Sequence, residues 1–267
     1  MFVPFVALLV TGCEKAIKED LKTAAPRLVV DASIDWIKNT AGNEQKIVLS
    51  TTTGYYSSDF PGVSGAVITV TNPSNTVFSF VEKPGTGQYL CSNFLPVIGQ
   101  TYNLKIVLNG ETYTASETLT PVSKIEDNID QNDKGGEAGD EMEITFYYKD
   151  DASQQNYYLN SISQPHSAFP ELEVEDDEHT NGNLNQESYS HEKLKAGDRV
   201  DIKLYGISKS YYNYMFKLIV ASGNDGNPFP TIPSAVRGNI VNQSNSKNYA
   251  FGYFRLAEVA TKSYTIK

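Results

Sequence analysis

The sequence predicts a mainly β protein. An N-terminal Ig-like or transthyretin-like β-sandwich is followed by a second β-rich domain carrying one α-helix. Three observations predict this. The chain holds 17 Tyr with many Thr, Asn and Ser, and Tyr and Thr favour pleated, half-buried surfaces. Short apolar runs bounded by turn residues recur along its length. A helical period occurs in one stretch only. At 267 residues and 40% apolar content, the chain suits one large or two modest domains. Its net charge of −10 is spread along the chain, with acidic residues clustered in a few stretches. That argues against nucleic acid as a partner, because phosphate contacts need Lys/Arg patches. It argues equally against a polybasic grip on anionic lipid.

The chain opens on "MFVPFVALLV". About ten apolar residues are too few to span a bilayer as a helix, which takes roughly 20. They match the h-region of a secretory signal. No Lys or Arg precedes the run, so the expectation is a true start upstream of Met1, or a lost upstream segment. Val10-Thr11-Gly12-Cys13 then resembles the bacterial lipobox, in which small residues precede a cysteine that is lipidated and becomes the mature N-terminus. Each buried CH₂ of such a lipid is worth about 0.8 kcal/mol, and two or more acyl chains anchor stably. Residues 1–12 are therefore expected to be a lipoprotein signal peptide and Cys13 the lipid attachment site. With Cys13 so used, Cys91 in "GQYLCSNF" has no disulfide partner. It reads as a buried apolar filler. Residues 13–26 are polar and charged, a flexible tether to the first domain.

Residues 27–121 read as a β-sandwich. "RLVVDASI", "QKIVLSTT", "SGAVITVT" and "TVFSFVE" are short β-branched runs separated by turn-rich gaps. In "TYNLKIVL", Tyr102, Leu104, Ile106 and Leu108 fall on one face, against Thr101, Asn103 and Lys105. Asn109-Gly110 is the preferred type I′ hairpin pair, and "ETYTASETL" is its return strand. Pro121 marks the boundary.

Residues 122–267 read as a second β-rich domain. "KIEDNIDQNDKGGEAGDE" is a polar, acidic, Gly-rich stretch before strands resume at "EMEITFYY" and "QNYYLNSIS". An acidic loop covers "ELEVEDDEHTNGNLNQ", and "DRVDIKLYGIS" is a further alternating strand. The period then changes. Tyr211, Met215, Leu218 and Ile219 recur at i, i+4, i+7 and i+8, which predicts a helix near 209–222. Ser208 or Ser210 suits its N-cap and Gly223 its left-handed stop. After a Pro-rich passage, "VRGNIVN", "YAFGYFRLAEVA" and "SYTI" read as closing strands.

The segments "YYNYMFKLIVASGN", "GNPFPTIPSAVRGNIVN" and "YAFGYFRL" resemble the C-terminal signature of a family of Bacteroidetes lipoproteins known as domain of unknown function forty-two forty-nine. The N-terminal half resembles that family too, through a lipobox, "RLVVDASI", "VSGAVITVT", then Gly87-Gln88-Tyr89 before the "GQTYNLKIVLNGETYTA" hairpin. The resemblance covers essentially the whole mature chain, and its motifs are structural. It implies an outer-membrane lipoprotein, lipid-anchored on the periplasmic or the cell-surface face, of the kind often encoded beside TonB-dependent nutrient transporters. Lys18-Glu19-Asp20 loosely resembles the acidic signal that sends such lipoproteins to the cell surface, although it lies further from the cysteine. The implied role is a non-catalytic accessory or ligand-capture partner of such a transporter.

Catalytic chemistry finds no motif. G-x-S-x-G and a P-loop are absent, and Gly85-Thr86-Gly87 lacks the third glycine of a dinucleotide fingerprint. His191-Glu192 begins like H-E-x-x-H, but Lys195 fills the fifth position. The chain is expected not to be an enzyme, and no cofactor is expected. Asp130, Asn132, Gly135 and Glu141 fit an EF-hand spacing, but Lys134 stands where an oxygen ligand belongs. In the run 173–179, Glu173, Glu175, Asp176, Asp177, Glu178 and His179 offer oxygens for a weak Ca²⁺ site. The favoured reading there is a solvated acidic loop. Tyr55, Tyr56 and Phe60 sit in "TTTGYYSSDFPG", where loop aromatics either mark recognition of protein, peptide or sugar rings or fold back to cover the end of the sandwich. They carry the alternative function, a free-standing surface module that binds glycan or protein.

Overall fold

Residues 24–54, 57, 59–222 and 235–267 are described by the computed structural model. Residues 1–23, with Cys13 and most of the tether, lie outside that range, as do Tyr55, Tyr56 and Gly223. The protein is mainly β, with fifteen strands and one helix among the described residues.

Strict alternation builds the first half. It contains β1 (Leu28–Ile37), β2 (Gln45–Thr51), β3 (Val67–Thr71), β4 (Val77–Lys83), β5 (Gln88–Cys91), β6 (Thr101–Leu108) and β7 (Glu111–Thr118). In β6 the face expected inward is buried, and Thr101, Asn103 and Lys105 are exposed. Asn109 and Gly110 take φ of 50° and 80°, and β7 returns with Leu108 opposite Glu111. That is the expected type I′ hairpin. β4 pairs with β3 through Val77–Phe80 and with β5 through Val81–Lys83, so it passes from one layer to the other. Ile34, Ile47, Leu49, Ile68, Phe78 and Phe94 fill the space between the layers. The Tyr102 hydroxyl donates to Leu95 O (2.7 Å) and accepts from Val97 N (3.0 Å), fixing the connection into β6.

The second half adds β8 (Ile125–Gly135), β9 (Glu141–Lys149), β10 (Tyr157–Ser163), β11 (Glu171–Asp176), β12 (Leu184–His191) and β13 (Arg199–Gly206). Helix α1 (Lys209–Ser222), β14 (Val241–Asn242) and β15 (Phe251–Thr265) follow. Ser208 is the N-cap of α1, its Oγ accepting from Tyr211 N at 3.1 Å. Tyr211 and Met215 are buried under the helix, as the stripe predicts. Strands β12, β9 and β8 form a three-stranded sheet, and the others join one twelve-stranded array that begins β11-β10-β13-β15-β1-β2. Tyr148, Phe146, Tyr158, Val200, Ile202 and Leu204 form the core between the two sheets. A third cluster, with Tyr205, Tyr211, Met215 and Tyr253, lies beneath α1.

Three stretches depart from the sequence expectation. The polar stretch before β9 is itself a strand, β8, whose register shifts twice against β9, between Ile125 and Ile129 and between Asn132 and Gly135. Those irregularities erase the period of two, so no alternation shows in the sequence. The expected acidic loop is β11 plus the start of β12, joined by the turn 177–183. The expected closing strands "YAFGYFRLAEVA" and "SYTI" are one continuous strand, β15.

Strand β15 binds the two halves. Val29–Ile37 of β1 runs parallel to Phe251–Val259, and Tyr205–Arg199 of β13 runs antiparallel to Val259–Thr265. Ile240, Ala250, Phe254 and Leu256 complete the first core from the far end of the chain. Tyr253 through Ala260 are buried without a break, the mark of a central strand covered on both faces. The two charges in that run are both paired. Arg255 meets Asp35 at 2.5 Å, and Glu258 meets Lys38 at 2.6 Å. Gly252 has φ +93°, and a Cβ there would stand 1.9 Å from the Val30 carbonyl oxygen. Both strain and collision exclude a side chain. Gly252→Ala is expected to cost about 3 kcal/mol or more and to lower Tm by roughly 10 °C in a thermal melt. A loss under about 1 kcal/mol would show that β1 and β15 pair less closely than described.

Candidate functional site

Among the described residues, the two sheets of the second half each end in an unpaired edge, β11 on one and β12 on the other. Register fixes which side chains look into the gap. Glu171, Glu173 and Glu175 lie opposite Ile162, Asn160 and Tyr158 of β10. Ile162 and Tyr158 belong to the core between the sheets, so those three glutamates share the inward face. On β12, Glu187 lies opposite Phe146 and Tyr189 opposite Ile144, both core residues of β9, which turns Glu187 inward as well. The result is a cleft of about 200 Å³ lined by Asn160, Glu171, Glu173, Glu187 and Tyr189 among others.

Carboxylate oxygens of Glu173, Glu175 and Glu187 all lie within 4.8 Å of one another. Burial pushes the Glu175 carboxyl up to about 7, and the charges of Glu187 and Glu173 push it the same way. Burial likewise raises Glu187 to about 7, with Glu173 adding to it and a hydrogen bond from the Tyr148 hydroxyl (3.3 Å) opposing it. On the floor, Asn160 is 3% exposed, and neither its Oδ1 nor its Nδ2 has a partner among the described residues. A buried amide left so costs about 1–3 kcal/mol. Inward charges on edge strands are a known guard against edge-to-edge pairing. That accounts for glutamates along β11, but it gives no reason for an unpartnered amide beneath them.

The other residues singled out from sequence are scattered. Cys13, Tyr55 and Tyr56 lie outside the described residues. Phe60 is 66% exposed in the connection from β2 to β3. Cys91 is buried on β5 and donates to Asn93 Oδ1 at 3.3 Å. The acidic run splits by role. Glu173 and Glu175 face the cleft, Asp177 is buried and accepts from Asn156 N (2.7 Å), and Glu178 and His179 are exposed in the turn. His166 spends its Nε2 on Asp198 at 2.6 Å, between the end of β10 and the start of β13. A wider depression of about 500 Å³ crosses the outer faces of β3, β6 and β7 through Thr69, Asn103, Lys105 and Ser116. It collects no carboxylate and no buried unpaired group, so the cleft is the stronger candidate despite its size. Sequence reasoning missed Glu187 and Asn160. The available signal was Glu171-Leu172-Glu173-Val174-Glu175, an alternation with the acids on one face.

The family model described as Domain of unknown function (DUF4249) matches residues 14–263. The chain belongs to the DUF4249 family. A comparison with curated proteins finds no match. Among solved structures, this DUF4249 chain is similar to a two-domain fibronectin type III segment of chicken tenascin at 15% identity and TM-score 0.22, covering 68% of this chain and 90% of that one. It is similar to a DUF4785 family protein of Legionella pneumophila at 8% identity and TM-score 0.27, over 67% of this chain and 52% of that one. Domains FN1–FN3 of chicken CNTN1 match at 13% identity and TM-score 0.27, over 68% and 60%.

The raised glutamates give a pH signature. An acid whose folded pKa lies above its unfolded value binds its proton more tightly when folded. It therefore costs stability above the folded value, and that cost disappears below the unfolded value. For Glu187 the window runs from about 7 down to its ordinary 4.5. Glu187→Gln is expected to stabilise the DUF4249 chain by about 1 kcal/mol at pH 8, in chelator, and by nearly nothing at pH 4.5. Paired thermal melts at the two pH values check this, and a variant less stable at pH 8 would contradict it.

Proposed function

We propose that the chain is a non-catalytic outer-membrane lipoprotein, held by lipid on Cys13, that acts as an accessory or ligand-capture partner of a TonB-dependent nutrient transporter. The observation that carries this reading is the order of features at the start of the chain. An apolar run, small residues, Cys13 and a polar tether follow one another, and the tether leads straight into β1. The family match beginning at residue 14, one residue past Cys13, supports leaving residues 1–12 out of the folded body. The placement of β1 supports it mechanically. β1 is gripped by β15 on one side and β2 on the other, so a pull on the tether loads an interior strand and not a peelable edge. Among the described residues no helix is long and apolar enough to cross a membrane. Attachment through a lipid on Cys13 requires none.

The second reading is a free-standing surface module that binds glycan or protein. Phe60, an aromatic ring 66% exposed on a connecting loop, favours it. The two readings part on co-purification from detergent-solubilised membranes: a stoichiometric transporter supports the first, and a lone chain whose glycan affinity falls on Phe60→Ala supports the second.

Cys13→Ala is expected to abolish incorporation of an alkyne-tagged palmitate and to move the protein from the membrane fraction to the soluble one. Retention of both label and membrane association in the variant would sink the lipoprotein reading.

A further inference from the structure

The cleft between β11 and β12 combines three features that point to a ligand. It gathers three glutamates from two different sheets, with carboxylate oxygens within 4.8 Å of one another. It has a buried amide, Asn160, whose oxygen and nitrogen have no protein partner among the described residues. It lies where two sheet edges face each other with no backbone ladder between them. We propose that Glu173, Glu175 and Glu187, with the side-chain oxygen of Asn160, form a calcium site that clamps the open edge of the second sandwich.

The donor set chooses the ion. The named groups offer oxygen only, with no thiolate or imidazole among them, which suits a hard cation and not zinc or copper. Ligand number and rigidity then separate calcium from magnesium. Calcium takes roughly six to eight oxygens in a flexible, irregular shell. Magnesium demands a near-ideal octahedron, keeps several waters and uses only about one or two carboxylates. Three carboxylates from two sheets, with oxygens within 4.8 Å of one another, suit the larger and more adaptable ion. One carboxylate binding through both its oxygens, Asn160 Oδ1 and water from the open mouth complete roughly six to eight ligands.

The ion also resolves what is otherwise unfavourable. Three carboxylates of like charge repel across the gap, and a divalent ion between them converts that repulsion into attraction. The Asn160 oxygen gains a partner. Glu173 and Glu175 ride on β11 and Glu187 on β12, so the ion joins the twelve-stranded array to the three-stranded sheet at the margin where they are not hydrogen-bonded. Affinity on the order of 10⁻⁴ M is expected, because the ligands come from two sheets and not from one dedicated loop.

The experiment uses the full chain in detergent, stripped with EDTA, dialysed and titrated with CaCl₂ at pH 8. A single site with Kd on the order of 10⁻⁴ M is expected by calorimetry. At 5 mM CaCl₂, about 50 times Kd, the folding constant rises about 50-fold, and Tm rises by roughly 5–10 °C. MgCl₂ at the same concentration is expected to give under a third of that shift. The double variant Glu173→Gln/Glu187→Gln is expected to match or exceed the Tm of the parent chain in EDTA, which shows it folded, and to lose the calcium shift. Asn160→Ala is expected to weaken calcium binding about 5-fold. No heat and no Tm shift up to 10 mM CaCl₂ overturns the site. A shift that persists in the folded double variant overturns its placement, and an equal shift with MgCl₂ overturns the choice of calcium.

Discussion

Val29–Ile37 and Phe251–Val259 lie side by side in parallel, and everything else in the fold is arranged around that pairing. It joins the first strand to the last, so neither of the two main cores is complete until nearly the whole chain is present. The first core takes Phe254 and Leu256 from β15, and the second takes Ala260 and Ile266 from the same strand and its end. Pairings this distant in sequence close slowly, because loop entropy is lost before the contacts reward it. The ion pairs give the pairing its register. Arg255 is buried. Burial works against its charge, and Asp35 together with Tyr211, Tyr205 and Asp31 more than offsets that, holding the guanidinium above its ordinary value. Lys38 and Glu258 make a second latch further along the same pair of strands, and Glu258 also accepts from Val122 N at 2.9 Å. A shift of one residue would leave both charges buried without partners, which is a large penalty. The linker between the halves is thereby sewn to the shared strand.

How much of this was legible in the sequence follows from how far each element is governed locally. β6 and β7 were readable because one face is buried, the other is wet, and Asn109-Gly110 has a single good conformation. Helix α1 was readable because its stripe and its Ser208 cap are local. β8 was not, since its two register shifts destroy the alternation that names a strand. β11 was hidden for a different reason. Its inward face is acidic, so the binary pattern is inverted, and a solvated loop was the cheaper inference. The candidate site was half visible. Glu173 and Glu175 stood out as part of an acidic run, but Glu187 and Asn160 are joined to them only by sheet packing, which no sequence window contains.

Open sandwiches have to do something with their edges. In the first half, β4 bends from one layer to the other and closes that side with backbone hydrogen bonds. Among the described residues the second half has no such strand between β11 and β12. Its margin is lined by carboxylates on both sides, which keeps foreign strands out and also keeps the two sheets from pulling together. A purely repulsive rim would be satisfied by glutamates pointing to solvent. Here they face Asn160 across the gap, and burial raises the energy of the charged forms of Glu175 and Glu187. That geometry makes sense when positive charge fills the gap.

The position of this margin relative to the tether matters for any role at a membrane. β11 lies four strands from β1 in the same array, separated by β10, β13 and β15. At about 4.8 Å per strand, that is roughly 19 Å. Under the proposed attachment, load arriving through the tether would be taken up by β15 and β2, whereas opening of the β11–β12 margin would disturb neither of those ladders. The proposed anchoring and clamping would therefore be mechanically separate. A change in occupancy of the proposed ion site would loosen or tighten one flank of the body while β1 stays paired on both sides.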